Sequence, residues 1–290
     1  MEFGLIVVLV ITLIVGILLV KFNSVSTEAV KYRKNIEHIN FDEDTPLTEE
    51  EFMRRLSLLQ LDMYRQDLYP LIKHEIAMKI SVCEDNDISL CSSKIGGFPH
   101  LPDNEFDFAN LIFLAQINCS QIKEFDKDNL FPEKGMLYFF LDPEKINIDV
   151  KNSVIVHYVS SLNNLSVQKN INTSLEIKSG VIQFSQNISL PEYDSDIIQN
   201  LLKDYEIDGY FKLTNKEHNH KLSGYPNTIT QHFIANEDKI LLLQLDSDEI
   251  CHLSWGNMGK LYVFIDKDKL HKQQFDKLYT YIQSYQSVDN

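Results

Sequence analysis

His218 and His220 stand at i and i+2, a spacing that puts both imidazoles on one side of an extended strand and that metal sites use. No Cys, Asp or Glu nearby completes a four-ligand set, so the pair reads as part of the approach to Lys221, and no metal or other cofactor is expected. Cys251 and His252 are adjacent, as a nucleophile and its base would be near each other in space. On a strand they point to opposite faces and cannot serve each other. Asp246-Ser247-Asp248-Glu249 is the densest acidic cluster beside an apolar run, suited to a cation or a basic loop, or simply a solvated turn. Gln116 and Gln244 each sit inside an apolar run, where an amide either satisfies a neighbouring backbone edge or faces a site. Trp255, the single tryptophan, precedes Gly256 and Gly259. It lines a groove or plugs a corner of the core. A ligand or partner site built from these residues would be lined by Trp255, Gln116, Gln244, Asp246, Asp248 and His220. No catalytic residue is assigned, because the chain has no G-x-S-x-G elbow, P-loop or dinucleotide fingerprint and no carboxylate pair marked by its surroundings.

The elements that would position these residues occur twice. Lys94-Ile95-Gly96-Gly97-Phe98-Pro99 is answered by Lys221-Leu222-Ser223-Gly224-Tyr225-Pro226, 127 positions on. Gln116 and its apolar neighbours are answered at Gln244, and Gly135-Met136-Leu137-Tyr138-Phe139-Phe140 at Gly259-Lys260-Leu261-Tyr262-Val263-Phe264. Three blocks in one order at nearly constant offset describe a duplicated domain rather than a solenoid. The Gly-aromatic-Pro blocks read as turns, since glycine supplies positive φ and proline sets the exit. The other blocks read as buried strands. Thr48 followed by Glu51 resembles a capping box, which predicts a helix over about 48–66, ended by Pro70. Residues 71–82 fit strand or helix. Apolar spacing predicts helices over 194–203 and 268–285. The expected class is α+β: mainly antiparallel sheet built from two diverged repeats with flanking helices, plus an N-terminal transmembrane helix.

That helix is expected over 3–21, where eighteen uncharged residues would span roughly 27 Å. Met1-Glu2 offers no basic n-region and no Ala-x-Ala site follows, which argues for an anchor over a signal peptide. Lys21, Lys31, Arg33 and Lys34 follow the span, so the positive-inside rule predicts a single-pass membrane protein with a cytoplasmic C-terminal domain. A linker is expected over 22–46 and the duplicated domain over 47–290, with repeats at about 71–190 and 191–290. Four cysteines without regular spacing imply reduced thiols. The formal net charge is −15; residues 1–34 contribute two net positive charges, leaving −17 on the rest. Such a surface repels nucleic-acid phosphates and favours a basic protein partner.

The blocks together resemble the YwqG-like family of bacterial domains of unknown function. The matching stretches run from Ser93 through Pro102, across the Gln116 and Gly135 blocks, and from His220 through Tyr262, so the similarity covers roughly 70–286. The chain departs from the family at Glu105-Phe106-Asp107-Phe108, where a Trp-Pro is usual, and at Asn257, where Asp is usual. The resemblance implies the fold but no agreed activity; the family's company with toxin genes implies an immunity or regulatory role. The leading expectation is therefore a membrane-anchored protein-binding module. The alternatives are a small-ligand-binding or hydrolytic protein with its site in the cleft between the repeats, and a tethered structural adaptor.

Overall fold

A computed structural model describes residues 21, 24–42, 45–102, 107–146, 152–214, 220–229 and 238–285. After helix α1 (24–36) come α2 (Glu49–Leu58), a 3-10 turn (Asp62–Tyr64), α3 (Arg65–Leu68) and strand β1 (Lys73–Val82). The first half continues with β2 (Lys94–Ile95), β3 (His100–Pro102), β4 (Ile112–Asn118), α4 (Cys119–Ile122), β5 (Met136–Leu141), α5 (Pro143–Ile146), β6 (Val154–Val159) and β7 (Leu165–Val167). The second half holds β8 (Gly180–Ser189), α6 (Asp196–Leu201), α7 (Ile207–Thr214), β9 (Lys221–Ser223), β10 (Lys239–Asp246), β11 (Lys260–Asp266), α8 (Lys267–His271) and β12 (Leu278–Gln283).

Ten strands form one sheet in the order β12-β11-β10-β9-β1-β8-β2-β4-β5-β6, every neighbouring pair antiparallel, while β3 and β7 pair separately. The long strands β1 and β8 pair along their whole length, with Lys79 opposite Gln183. On the far side of each, β1 carries β9 and β8 carries β2. The pairing is the same on both sides: Lys94 faces Gln116 and Gln116 faces Tyr138, just as Lys221 faces Gln244 and Gln244 faces Tyr262. Each inner pair carries one register shift at the same place, between Phe113 and Ala115 and between Leu241 and Leu243.

The sheet does not stay open. Leu114, Ile117, Leu137 and Phe139 from one end of the strand order share a single apolar core with Leu243, Leu245, Val263 and Ile265 from the other, and Ile76 and Ile182 from the middle join it. A twisted ten-stranded sheet has one wide apolar face to bury, and curling that face onto itself does so without a second layer. Edge strands β6 and β12 thereby meet, with Val154 N–H donating to Thr280 Oγ1 at 3.2 Å. The architecture is thus a nearly closed antiparallel barrel with some helices, which corrects the expected α+β sheet with flanking helices.

The expected transmembrane helix is corrected too. Among the described residues no helix is long and apolar enough to cross a membrane, which conflicts with the single-pass membrane placement. All of the expected span over 3–21 except Lys21 lies outside the described residues. The stretch expected as a linker is largely helix α1. Its Tyr32 and Ile36 are buried in a second core with Phe52, Leu56, Ile198 and Tyr210, and Tyr32 Oη donates to the Leu59 carbonyl at 2.9 Å.

Local chemistry explains most element boundaries. Thr48 Oγ1 accepts from Glu51 N–H at 3.2 Å and caps α2, whose first turn holds three glutamates against the positive helix end. The helix stops at Leu58, short of the expected 66, and Gln60 turns to φ +57° before the 3-10 turn. The helix expected over 268–285 divides in two. Gln273, at φ +55°, follows the end of α8, and the aromatic and β-branched run Tyr279-Thr280-Tyr281-Ile282 alternates faces as strand β12.

Candidate functional site

The densest polar chemistry surrounds the two turns that leave β2 and β9. Gly96 and Gly97 take φ +56° and +63°, and Ser223 and Gly224 take +58° and +77°. A Cβ at Gly224 would meet Ser189 Oγ at 2.5 Å, so this position needs glycine for space as well as for conformation. Each turn is held by a glutamine and a tyrosine from the next two strands. Gln116 Oε1 accepts from His100 N–H at 2.8 Å, and Tyr138 Oη donates to the His100 carbonyl. Gln244 Oε1 accepts from Asn227 N–H at 3.0 Å, and Tyr262 Oη donates to the Asn227 carbonyl at 2.7 Å. One backbone residue past the proline is thus gripped at both its N–H and its C=O. The gripped residue is buried at His100 and half-buried at Asn227, and these bonds satisfy its backbone polar groups.

Behind each turn lies a fully buried lysine. Lys221 Nζ meets Glu75 Oε2 at 2.8 Å. Lys94 Nζ pairs with Asp85 and also donates to the Phe98 carbonyl at 2.9 Å. Burial pushes the Lys94 ammonium below its ordinary value, and Asp85 opposes that shift. Burial, then the Lys94 charge, likewise lowers His100. Glu192, which accepts from Asn227 Nδ2 at 3.3 Å, is pushed up by burial.

Five of the six residues singled out in the sequence come together, and Gln116 does not: it sits at the corresponding place in the other half, with β9, β1, β8 and β2 between β10 and its own strand. Gln244 Nε2 donates to Asp246 Oδ1 at 2.9 Å, Lys260 Nζ reaches Asp246 Oδ2 at 2.9 Å, and Asp246 N–H donates to His220 Nδ1 at 3.2 Å. With Nδ1 accepting, the ring proton belongs on Nε2, which faces Asp248 Oδ2 at 3.3 Å. That hydrogen bond, aided by the Cys251 and Ile250 amides, holds the Asp248 carboxyl far below the usual carboxylate range. Gln244, Asp246 and His220 are buried and joined to one another. Trp255 belongs to the barrel core beside Cys251 and Leu253, so it plugs a corner rather than lining a groove. Its Nε1 has no partner among the described residues.

This arrangement braces loops. Cys251 is buried, and burial with the nearby Asp248 pushes its thiol up to about 12. Cys251 and His252 lie in a turn rather than on the expected strand, with His252 exposed at φ +56°. His218 lies outside the described residues, and among those described no group of three or more His, Cys, Asp or Glu side chains could hold a metal. Sequence reasoning missed Glu75, Asp85, His100, Tyr138, Asn227 and Tyr262 as parts of these clusters. The two tyrosines carried a signal, recurring at the same place in both Gly-Leu-Tyr-Phe-type blocks, whereas Glu75 and Asp85 are not counterparts and carried none. A cavity of about 460 Å³ lies elsewhere, where β6 meets the approach to β12.

The model of the family described as Domain of unknown function (DUF1963) matches residues 93–283, from the residue before Lys94 to the last residue of β12. The chain belongs to the DUF1963 family. No curated protein matches it. The DUF1963 match begins after β1, although β1 pairs with both β8 and β9 in the middle of the sheet and supplies Glu75 to Lys221. The DUF1963 segment therefore needs the preceding strand to complete both its ladder and a buried ion pair.

Proposed function

We propose that this DUF1963 protein, which we place in the family's YwqG-like branch, is a non-catalytic module that binds a basic protein partner. One observation carries the reading: the chain has a net charge of −15, and four of its cations are held in inward ion pairs. Arg55, Lys94, Lys221 and Lys260 turn inward, each against a carboxylate, at Glu51, Asp85, Glu75 and Asp246. These pairs are neutral, so the net −15 falls on the remaining charged groups. A field of one sign speeds encounter with an oppositely charged partner and disfavours nucleic acid. Immunity or regulation directed at a basic toxin is a role that such a surface suits.

The test is affinity capture of the full chain from its native host at low ionic strength, with the stoichiometry of each recovered protein quantified. The reading expects a near-stoichiometric protein with a basic surface that high salt releases. Recovery of no stoichiometric protein, or of an acidic one indifferent to salt, defeats it.

A further inference from the structure

We infer that the seam between β6 and β12 is a binding site for a small zwitterion with an apolar side chain, of the class of a free hydrophobic amino acid. This goes beyond the protein-binding reading and uses different residues. Nine successive antiparallel pairings make β6 and β12 run in opposite directions where the barrel closes. Among the described residues no ladder joins these two strands, and the contact that holds them is Val154 N–H to Thr280 Oγ1. Counting along both strands from that contact puts Val156 opposite Leu278.

At that level the strands part around a cavity of about 460 Å³, within the roughly 300–1,000 Å³ usual for small-molecule sites. Its apolar lining comes from Val154, Val156 and Leu278 of the barrel core and from Phe275, which packs against that core, while Asn152 and Gln273 line it with amides. Its rim carries one charge of each sign. Lys145 comes from α5 before β6, and Asp276 comes from the approach to β12. Each is satisfied by its own neighbour, Lys145 by Asp142 at 3.2 Å and Asp276 by Lys269 at 2.7 Å. The two rim side chains are 50% and 69% exposed, and ion pairs so exposed exchange partners at little cost. A ligand ammonium at Asp276 and carboxylate at Lys145 would leave its side chain over Phe275 and the core residues beside it. A purely cationic or purely anionic ligand would meet one matching and one opposing charge.

The test is calorimetric titration of the full chain with L-phenylalanine and L-leucine, alongside N-acetyl-phenylalaninamide, which keeps the side chain and loses both charges. Saturable one-to-one binding of the free amino acids is expected, with none for the capped analogue. Asp276→Asn and Lys145→Gln should each weaken binding by roughly tenfold or more, the loss of one charge-assisted hydrogen bond. Val156→Trp, filling the cavity, should abolish binding while the circular dichroism spectrum stays native. If that variant does not fold, Phe275→Ala, at a half-buried position, must weaken binding instead. Absence of saturable binding by either amino acid, equal binding of the capped analogue, or undiminished binding by the cavity variants overturns the inference.

Discussion

Replacing Lys221 with methionine tests the physical core of the turn architecture. The lysine is fully buried, its Nζ lies 2.8 Å from Glu75 Oε2, and the Glu75 side chain is 2% exposed. Methionine preserves most of the stem and its packing and deletes only the charge. Glu75 is then left as a buried carboxylate without its counter-ion, a loss that costs about 3–5 kcal/mol in comparable buried pairs. For a domain of this size that is a fall of about 6–20 °C in Tm. Restoring neutrality with Glu75→Leu on top of Lys221→Met should return most of the stability, since apolar replacement of a whole buried pair is often neutral or favourable by about 1–4 kcal/mol. The assay is urea denaturation of wild type, both singles and the double, followed by far-ultraviolet circular dichroism. A Lys221→Met cost under about 1 kcal/mol, or a double variant no more stable than that single, would refute the reasoning, because the buried charge would then not govern the site.

Three further outcomes follow from the same geometry. Tyr262→Phe removes the 2.7 Å bond to the Asn227 carbonyl and should cost about 0.5–1.5 kcal/mol, whereas Gln244→Leu removes both the bond from the half-buried Asn227 N–H and the buried bond to Asp246 and should cost about 1–3 kcal/mol; denaturant midpoints check the order. Burial drives the Cys119 and Cys251 thiols up to about 12, so in the native protein at mild pH only the half-buried Cys83 and Cys91 should react readily with a thiol reagent, which mass spectrometry of the labelled chain would show. Glu51, paired with Arg54 and Arg55, is lowered to about 2 from 4.5. Its contribution to stability is therefore full above about pH 4.5 and drains away as the pH falls towards 2, and Glu51→Gln should flatten that part of a stability-versus-pH curve.

The turns and the strands around them were legible because their chemistry is local. The Lys94 and Lys221 blocks coincide with β2 and β9 and their turns, the Gln116 and Gln244 runs with β4 and β10, and the Tyr138 and Tyr262 runs with β5 and β11. Period-two burial and positive-φ glycines leave direct marks in the order of residues. Curling of the sheet leaves none, because it depends on how β6 and β12 meet across the 126-position separation of Val154 and Thr280. The partners of the buried lysines were hidden for a related reason. Glu75 comes from a strand shared between the halves and Asp85 from a short 3-10 turn, so the two copies solved one electrostatic problem with unrelated residues. The glutamines show how a polar residue in an apolar run misleads: Gln116 and Gln244 hold backbone in place, and the six residues singled out together lie in two separate clusters. The tail misled by its period. Leu270, Phe275, Leu278 and Ile282 are spaced as on one helical face, but a positive-φ residue at Gln273 separates Leu270 in α8 from Phe275 in the connection and from Leu278 and Ile282 in β12.

The central claim, that the acidic exterior exists to hold a basic protein, is tested most directly by the salt dependence of one dissociation constant. With the captured partner purified, Kd should rise steeply between about 50 mM and about 500 mM salt, the range over which the Debye length drops below the spacing of surface charges. A Kd that stays flat across that range would contradict the account.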